Sequence, residues 1–560
     1  MNDDLQRAIA LHQSGNIADA EHAYRSVLSQ NPDEPDALAL LGVINTAQKN
    51  FPEALLLMQQ AIKLDPTAPL FHFYLANIFA EIGDDTPALA AYQKALELKP
   101  DFAEAQYRVG LIFETCHRYA EAIPHLKRAT ELAPAQVEAW LALSDVAQKN
   151  RDYTTACTAA RQAVELQPTN VAAHIALGLA YDFLNNEDEA AICFQHATEL
   201  KPDFIEAWDM LGMSFQNLNR LDEAEVIMHR TLSMAGGIVA TEASRDVDEQ
   251  AYIAQHWNLA LLELLRGNYH FGWAHYRARF KDPHRPQRLP IPRTLWCGQP
   301  LSGKKILVVG DQGFGDVLML CRFGALLKTQ GAHVTLLVHP ALVSLLQKSK
   351  LVDAVLCEAP QNSDAFNFQT SIFDLPYQFD TRLETIPAII PYLPVPDADA
   401  ATRLFNDSRP RIGVVWAGRH DHGNDRRRSI PLSTFAGLFT ESHAHFFNLT
   451  RDITAEDFAR LAQHKVTNLA PQLDDFLTTA RFIAQMDLII TCDTAVAHLA
   501  GGMGKETWVL LPFAPEWRWL MKRQDSPWYP TARLFRQPQR ADWGSVIHNV
   551  RQELSKRFPA

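Results

Sequence analysis

The stretch Pro66 to Pro100, PTAPLFHFYLANIFAEIGDDTPALAAYQKALELKP, decides how the first two-fifths of the chain fold, because its two end residues belong to a ruler. Pro32, Pro66, Pro100, Pro134, Pro168 and Pro202 stand 34 residues apart. Other positions keep the same step. Ala54, Ala88, Ala122, Ala156, Ala190 and Ala224 occupy one phase, and Ala61, Ala95, Ala129, Ala163 and Ala197 another. A third phase reads Gly42, Ala76, Gly110, Ser144, Gly178 and Gly212, each after Leu or Val.

This period and these small residues are the marks of a tetratricopeptide-type helical hairpin. Small side chains recur where two helices approach closely, and the proline ends the second helix by withholding a backbone donor. Ala20 and Val27 extend the pattern backwards by one unit, giving seven repeats from about residue 3 to about residue 236. Stacked repeats form an α-solenoid with a concave surface, which is expected to hold a polypeptide partner.

The chain has 560 residues, too many for one core, so two or three folding units are expected. A net charge of -13 argues against a nucleic-acid surface. Seven scattered cysteines with no C-x-x-C spacing read as reduced thiols of a cytoplasmic protein. The start MNDDLQRAIA is an acidic amphipathic helix, without the basic and apolar regions of an export signal. No apolar run approaches the ~18 residues of a membrane span.

The proline phase fails at Gly236, and GGIVATEASRDVDEQ (236–250) reads as a hinge after a solenoid spanning 1–236. A further helix pair is expected over 251–281, turning at Gly267-Asn268 and capping the solenoid. Residues 282–302, rich in proline, suit an extended connector on a surface. At Lys305 the period changes. Strands are expected at 306–309 and 334–338, then, after the proline-rich passage 389–396, at 412–416, 445–449, 488–490 and 507–511. Strands alternating with helices imply parallel sheets, here two Rossmann-like α/β halves at 303–400 and 401–560 with a cleft at their strand ends.

Three segments carry candidate chemistry. Asp493-Thr494-Ala495-Val496-Ala497-His498 follows a strand and opens a helix, with Asp493 or Thr494 as N-cap. Its free N–H groups suit an anionic phosphate, and His498 lies one turn on as a second donor. An ordinary capped helix with His498 in the core fits the same residues. Gly313-Phe314-Gly315-Asp316 follows the first strand of its half. There Asp316 is either a general base toward an acceptor hydroxyl or amine, or simply a helix N-cap. Trp416-Ala417-Gly418-Arg419, with Arg426-Arg427-Arg428-Ser429, offers a diphosphate clamp or a solvated charge run. The aromatic residues of Glu516–Leu520 and Ser526–Pro530 either stack on a sugar or base or pack the last helix across the two halves. No H-E-x-x-H or carboxylate cluster at metal-ligand spacing stands out among the 21 histidines and the acidic residues.

Together these motifs resemble the heptosyltransferase-like glycosyltransferases of the GT-B class. The resemblance runs from Leu265 to about Arg540, and the whole chain resembles the bacterial tetratricopeptide-repeat glycosyltransferases, including those that act on flagellin. It implies transfer of a sugar from a nucleotide-activated donor without a metal or other cofactor. The donor is held mainly by the second half and the acceptor by the first. Asp316 takes the place of the family's aspartate base. Gly313, Gly315, Trp416, Gly418, Arg428, Asp493, Thr494, Ala495 and His498 are then donor contacts. The acceptor implied is a protein carried by the solenoid. Two alternatives stand beside this reading: a non-catalytic scaffold with a nucleotide-binding or degenerate module, and a transferase acting on a glycan or lipid carrier. No asparagine recurs at one position of the first repeat helices, so the resemblance does not extend to the asparagine ladder of the O-GlcNAc transferases.

Overall fold

A computed structural model describes residues 3–235, 249–281, 291, 293–399, 402–404, 409–419, 424–440 and 444–559. Of the expected hinge, residues 236–248 lie outside them and the last two begin a helix. Residues 282–290 and 292 of the connector also lie outside. The chain divides into two compact units, Met1–Ala207 and Trp208–Ala560.

The first unit is a run of paired helices: α1 (Asp3–Gln13) with α2 (Ile17–Gln30), α3 (Pro35–Ala47) with α4 (Phe51–Leu64), α5 (Pro69–Ile82) with α6 (Asp85–Leu98), α7 (Ala103–Thr115) with α8 (Tyr119–Leu132), α9 (Val137–Lys149) with α10 (Tyr153–Leu166), and α11 (Val171–Phe183) with α12 (Glu187–Leu200). Helix α13 (Ile205–Asn217) crosses the boundary and α14 (Leu221–Met234) completes the seventh pair. Every alanine of the two repeating phases is fully buried. Gly178 shows why the third phase is small: a Cβ there would stand 2.5 Å from the ring of Phe194. At Ser144 the hydroxyl instead donates to the Ala156 carbonyl at 3.0 Å. The second helices of the first six pairs close the same way. Asn31, Asp65, Lys99, Ala133, Gln167 and Lys201 give their N–H to the carbonyl four residues back, and the ruler's proline follows at once. A proline there has no N–H with which to continue the ladder.

One further phase is conformational. Gly15, Lys49, Gly83, His117, Arg151, Asn185 and Asn219 all have positive φ, between 56° and 86°. They end the first helix of each pair in the left-handed region, and only two of them are glycine.

In the second unit α15 (Glu249–Arg266) and α16 (Tyr269–Tyr276) form the expected extra pair, turning at Gly267 with φ 88°. Leu259 and Leu262 pack on Ala224, Met228 and Leu232 of α14. Leu264, Leu265, Tyr269, Trp273 and Tyr276 join instead the core of the α/β module that follows.

That module holds two all-parallel sheets. The first contains β1 (Lys305–Val309), β2 (His333–Leu337), β3 (Ala354–Leu356) and β4 (Phe368–Ser371) in the order β3-β2-β1-β4, with Ile306 opposite Val334 and Phe368. Its helices are α17 (Phe314–Leu320), α18 (Phe323–Thr329), α19 (Pro340–Ser349) and α20 (Leu375–Gln378). The second contains β5 (Arg411–Val415), β6 (His445–Asn448), β7 (Thr467–Asn468), β8 (Leu488–Cys492), β9 (Thr507–Leu511) and β10 (Ala532–Arg536) in the order β10-β9-β8-β5-β6-β7. Around it lie α21 (Asp425–Arg428), α22 (Leu432–Phe435), α23 (Ala455–Gln463), α24 (Phe476–Ala484), α25 (Ala495–Gly502) and α26 (Trp543–Arg557). Strands β8 and β9 are buried along their whole length, as parallel strands covered on both faces must be.

The connector departs from the expected surface path. Trp296 and Leu301 are buried, and Trp296 gives its N–H to the Gln369 carbonyl at 2.9 Å, so the segment adds a bridge beside β4. The physical reason is Gln369: a buried amide must find partners, and its Nε2 donates to the Arg293 carbonyl at 2.9 Å.

Gly178→Ala is expected to lower stability by about 1–2 kcal/mol, overpacking against Phe194 outweighing alanine's better helix propensity. Arg151→Gly, which relieves left-handed backbone, is expected to be neutral or stabilising. Thermal unfolding of the two variants beside the parent chain checks the contrast.

Candidate functional site

Each sheet reverses its strand order once, between β1 and β4 and between β5 and β8. Crevices at carboxyl ends of strands form at such points, and the segments singled out in the sequence leave the sheets there.

After β1, Gly313 caps α17, and its N–H bonds Asp316 Oδ2 at 3.1 Å. The N-cap is therefore Gly313, and Asp316 reaches back to it from the third helical position. Asp316 Oδ1 is held by Arg518, which comes from beyond β9. Beside them Asp311 pairs with Arg279 at 2.9 Å and accepts from Ser371 Oγ at 2.8 Å. Gln312 Nε2 donates to the Tyr276 hydroxyl at 3.1 Å. Tyr276 and Arg279 belong to the end of the extra helix pair, which thus lines the first crevice.

After β5, Trp416 lies in the core with its indole against Phe435, ring centres 6.1 Å apart, so only its backbone reaches the sheet edge. Gly418 gives its N–H to Ser429 Oγ at 3.1 Å and makes room for Arg428: a Cβ at Gly418 would meet Arg428 Nη2 at 2.5 Å. Arg428 Nη1 donates to the Asp493 carbonyl at 3.2 Å, and its Nε lies 3.5 Å from Asp425. The run Arg426–Arg428 therefore ends on a residue folded back onto the site.

After β8, Thr494 caps α25 with extended backbone, but its hydroxyl turns to Thr491 Oγ1 at 3.0 Å and does not cap the first turn. Helices α17 and α25 touch here. A Cβ at Gly315 would lie 2.7 Å from His498 Cδ2 and 3.5 Å from Ala495 Cα. His498 is buried, with Nδ1 2.9 Å from the Tyr529 hydroxyl and its ring stacked on Trp519 at 5.4 Å. Burial and the nearby Arg518, Arg322 and Arg428 hold its pKa well below the ordinary histidine value, so the ring is neutral. Its Nε2, 4.0 Å from Asp493, therefore forms no ion pair at neutral pH.

Asp493 is 6% exposed. Burial, helped by the Glu516 carboxylate and opposed by Arg518, Trp519 and Arg428, pushes its pKa up to about 6. The structure thus gathers Gly313, Gly315, Asp316, Gly418, Arg428, Asp493, Thr494, Ala495 and His498 around the two touching helix starts, with the side chain of Trp416 set apart in the core.

The aromatic stretch packs. Trp517, Trp519, Trp528 and Tyr529 are all buried. Trp517 meets Trp273 edge to face at 5.2 Å, and Trp528 Nε1 donates to the Tyr269 hydroxyl at 2.9 Å. The partners are the extra helix pair and His498, not the last helix. Within this run sits the residue that sequence reading passed over, Arg518. A single arginine between two buried tryptophans was the available signal. Its turn ends at Leu520 with φ 54° and ψ −170°, a backbone region that costs a non-glycine residue about 1–3 kcal/mol and clusters at functional sites.

A cavity of about 530 Å³ opens at the carboxyl ends of β6 and β7, lined by Arg451, Asp452, Phe458, Asn468, Leu473 and Asp474. Away from both crevices, Glu225, His229 and Glu263 bring ligand atoms within 4.8 Å of one another. Arg266 already pairs with Glu225 at 2.9 Å and Asn268 donates to Glu263 at 2.6 Å, so both carboxylates have protein partners. No helix among the described residues is long and apolar enough to cross a membrane.

Comparison with known proteins bears on the first part of the chain. Models of the tetratricopeptide repeat match residues 5–69, 103–136, 137–170 and 171–204, and a TPR repeat model matches 76–115. Residues 5–204 are tetratricopeptide repeats. The chain is also similar to Protein FlbA of Caulobacter vibrioides, 24% identical over 325 residues, 53% of this chain and 54% of that protein. The chain thus spans about half the length of this curated relative. Solved structures similar to it include MamA of Desulfovibrio magneticus RS-1 (23% identity, 31% of this chain and 97% of that one, TM-score 0.29). Others are PilF of Pseudomonas aeruginosa (18%, 39% and 95%, 0.33) and YrrB, described as a TPR protein with an unusual peptide-binding site (19%, 33% and 95%, 0.31).

The raised pKa of Asp493 has a consequence for stability. The folded chain binds that proton more tightly than the unfolded chain, so the protonated group's contribution is present below about pH 4 and is lost as pH rises through about 6. Asp493→Asn is expected to change stability little near pH 4 and to raise it at about pH 7.5, by on the order of 2 kcal/mol. Melting curves of both proteins across this range check the sign.

Proposed function

We propose that the chain is a metal-independent glycosyltransferase of GT-B architecture, using a nucleotide-activated sugar donor and a protein acceptor recruited by the repeats. One observation carries the reading: the starts of α17 and α25, one from each sheet, meet so that a carboxylate from the first half lies beside a helix start and two arginines of the second. Sugar transfer from a nucleotide needs both. A base must take the acceptor's proton, and fixed positive charge must hold the departing phosphate. In this reading Asp316 is the base. Arg428 and the first turn of α25 face the phosphate, and Gly418 gives Arg428 its place. The cavity above β6 and β7 opens on the same edge of the same sheet, where the nucleoside would lie. The resemblance to heptosyltransferase-like enzymes supports the same assignment, and a flagellin-like protein is the acceptor it implies.

Thermal unfolding with UDP, GDP, ADP, CMP and dTDP tests the donor, since a ligand of the native state raises apparent stability by mass action. One nucleotide is expected to shift the transition; no shift with any of them sinks the reading. With that donor, Asp316→Asn is expected to lower transfer by about 10²–10⁴-fold while nucleotide binding persists. Undiminished turnover would remove Asp316 from the base's role.

A further inference from the structure

The residue at the centre of the site is Arg518. Its backbone is fixed on every side: Trp517 is packed among Tyr269, Trp273 and Trp528, Trp519 is stacked on His498, and the Trp519 carbonyl accepts from Arg536 Nη2 at 2.7 Å. The turn is held with Leu520 in a backbone region that non-glycine residues avoid. So rigid a mount for a long cationic side chain argues that where its guanidinium sits matters.

That guanidinium spans the two halves. Nη2 is on Asp316, and Nη1 lies 3.5 Å from Glu516. Nε is buried and has no hydrogen-bond partner among the described residues. Arg518 therefore holds the carboxylate that the glycosyltransferase reading needs free, and keeps a donor unused at the same spot. Arginine binds phosphate at least as readily as carboxylate, through the same paired N–H geometry.

We propose that Arg518 is shared between Asp316 and the phosphate of the nucleotide donor: it masks Asp316 in the empty site and moves to the phosphate when donor binds, releasing the carboxylate. The inference rests on the glycosyltransferase reading above and adds to it a residue and an order of events. Once donor is bound, the acceptor's oxygen or nitrogen forms a bond to the anomeric carbon and its proton passes to Asp316. The bond from that carbon to the phosphate oxygen breaks, and the nucleotide leaves with the electron pair while Arg518 holds its charge. Without donor the base stays occupied.

Sharing makes a prediction that a purely structural arginine does not. Calorimetric titration of the full chain with UDP, GDP, ADP, CDP and dTDP identifies the diphosphate that binds, and the matching nucleoside serves as control. Arg518→Ala is expected to weaken the diphosphate about tenfold or more and to leave the nucleoside unchanged. Asp316→Asn, nearly isosteric and with no rival charge, is expected to tighten the diphosphate roughly three- to tenfold. The gain should vanish when both substitutions are combined, since it acts through Arg518. If Arg518→Ala does not fold, Asp316→Asn decides alone: an unchanged affinity overturns the proposal. So does a gain that persists in the double variant, which would be plain charge repulsion. Binding of none of these five diphosphates by the parent chain overturns this inference, and the glycosyltransferase reading with it if CMP also fails to bind, whereas binding that is indifferent to both residues overturns this inference only.

Discussion

A buried guanidinium without a carboxylate holds the two sheets of the second unit in one piece. Arg322, at the junction of α17 and α18, is 3% exposed and forms no ion pair among the described residues. Its charge is solvated by the carbonyls of Met319 at 2.8 Å, Pro387 at 3.1 Å and Trp528 at 2.9 Å, and by the Tyr392 hydroxyl at 2.8 Å. The rings of Tyr392, Tyr529 and Trp528 surround it, the first at 4.2 Å. These partners come from the first sheet's helices, the passage between the sheets, and the segment before β10. Removing the guanidinium would leave several buried acceptors unsatisfied, while moving either half would strip a buried charge of its partners. Tyr392 and Leu393 extend the joint by donating to the Gly502 carbonyl, both at 3.0 Å. Tyr529, beside Arg322, positions His498, and His498 sets how closely α25 approaches Gly315.

What was legible in the repeats follows from which constraints act on residue type. Closeness of two helices demands a small side chain, and an ended hydrogen-bond ladder favours proline, so both phases are written in the letters. The left-handed position at Gly15, Lys49, Gly83, His117, Arg151, Asn185 and Asn219 recurs as strictly and went unread. It constrains φ, not volume. A residue held by packing on both sides can bear the cost of that conformation, so glycine is only preferred there.

In the α/β module the long apolar strands were readable and the short or polar ones were not. Strand β4 reads Phe-Gln-Thr-Ser and is buried through Gln369 because the connector beside it supplies carbonyls for the amide, a long-range fact invisible within four letters. Strands β3 and β7, of three and two residues, are too short to show a period. The site divides the same way. Asp316, Asp493 and Thr494 lie close behind strands and Arg428 on the longer connection after β5, so their convergence could be read from topology. Arg518, Tyr276 and Arg279 reach the site from chain segments whose local pattern says only aromatic packing, and only the fold brings them to it.

The charges at the two crevices share one feature. Asp311 has Arg279, Asp316 has Arg518, Asn424 donates to Glu516 at 3.2 Å, and Arg428 lies between Asp425 and the Asp493 carbonyl. A buried charge without a partner costs several kcal/mol, so an empty site lined with free arginines would weigh on folding. Pairing each one internally removes that cost, and it changes what binding means. An anion entering such a site displaces one partner from another and does not neutralise a bare charge, so affinity depends on how much better the ligand's geometry suits the arginine than the resident carboxylate's does. Selectivity then favours ligands with several acceptor oxygens arranged to take paired N–H groups, and disfavours simple monovalent ions. Asp493 is the exception: too buried to be fully matched, it meets the mismatch by holding its proton up to about pH 6, which makes it the charge in the site most readily changed by what enters.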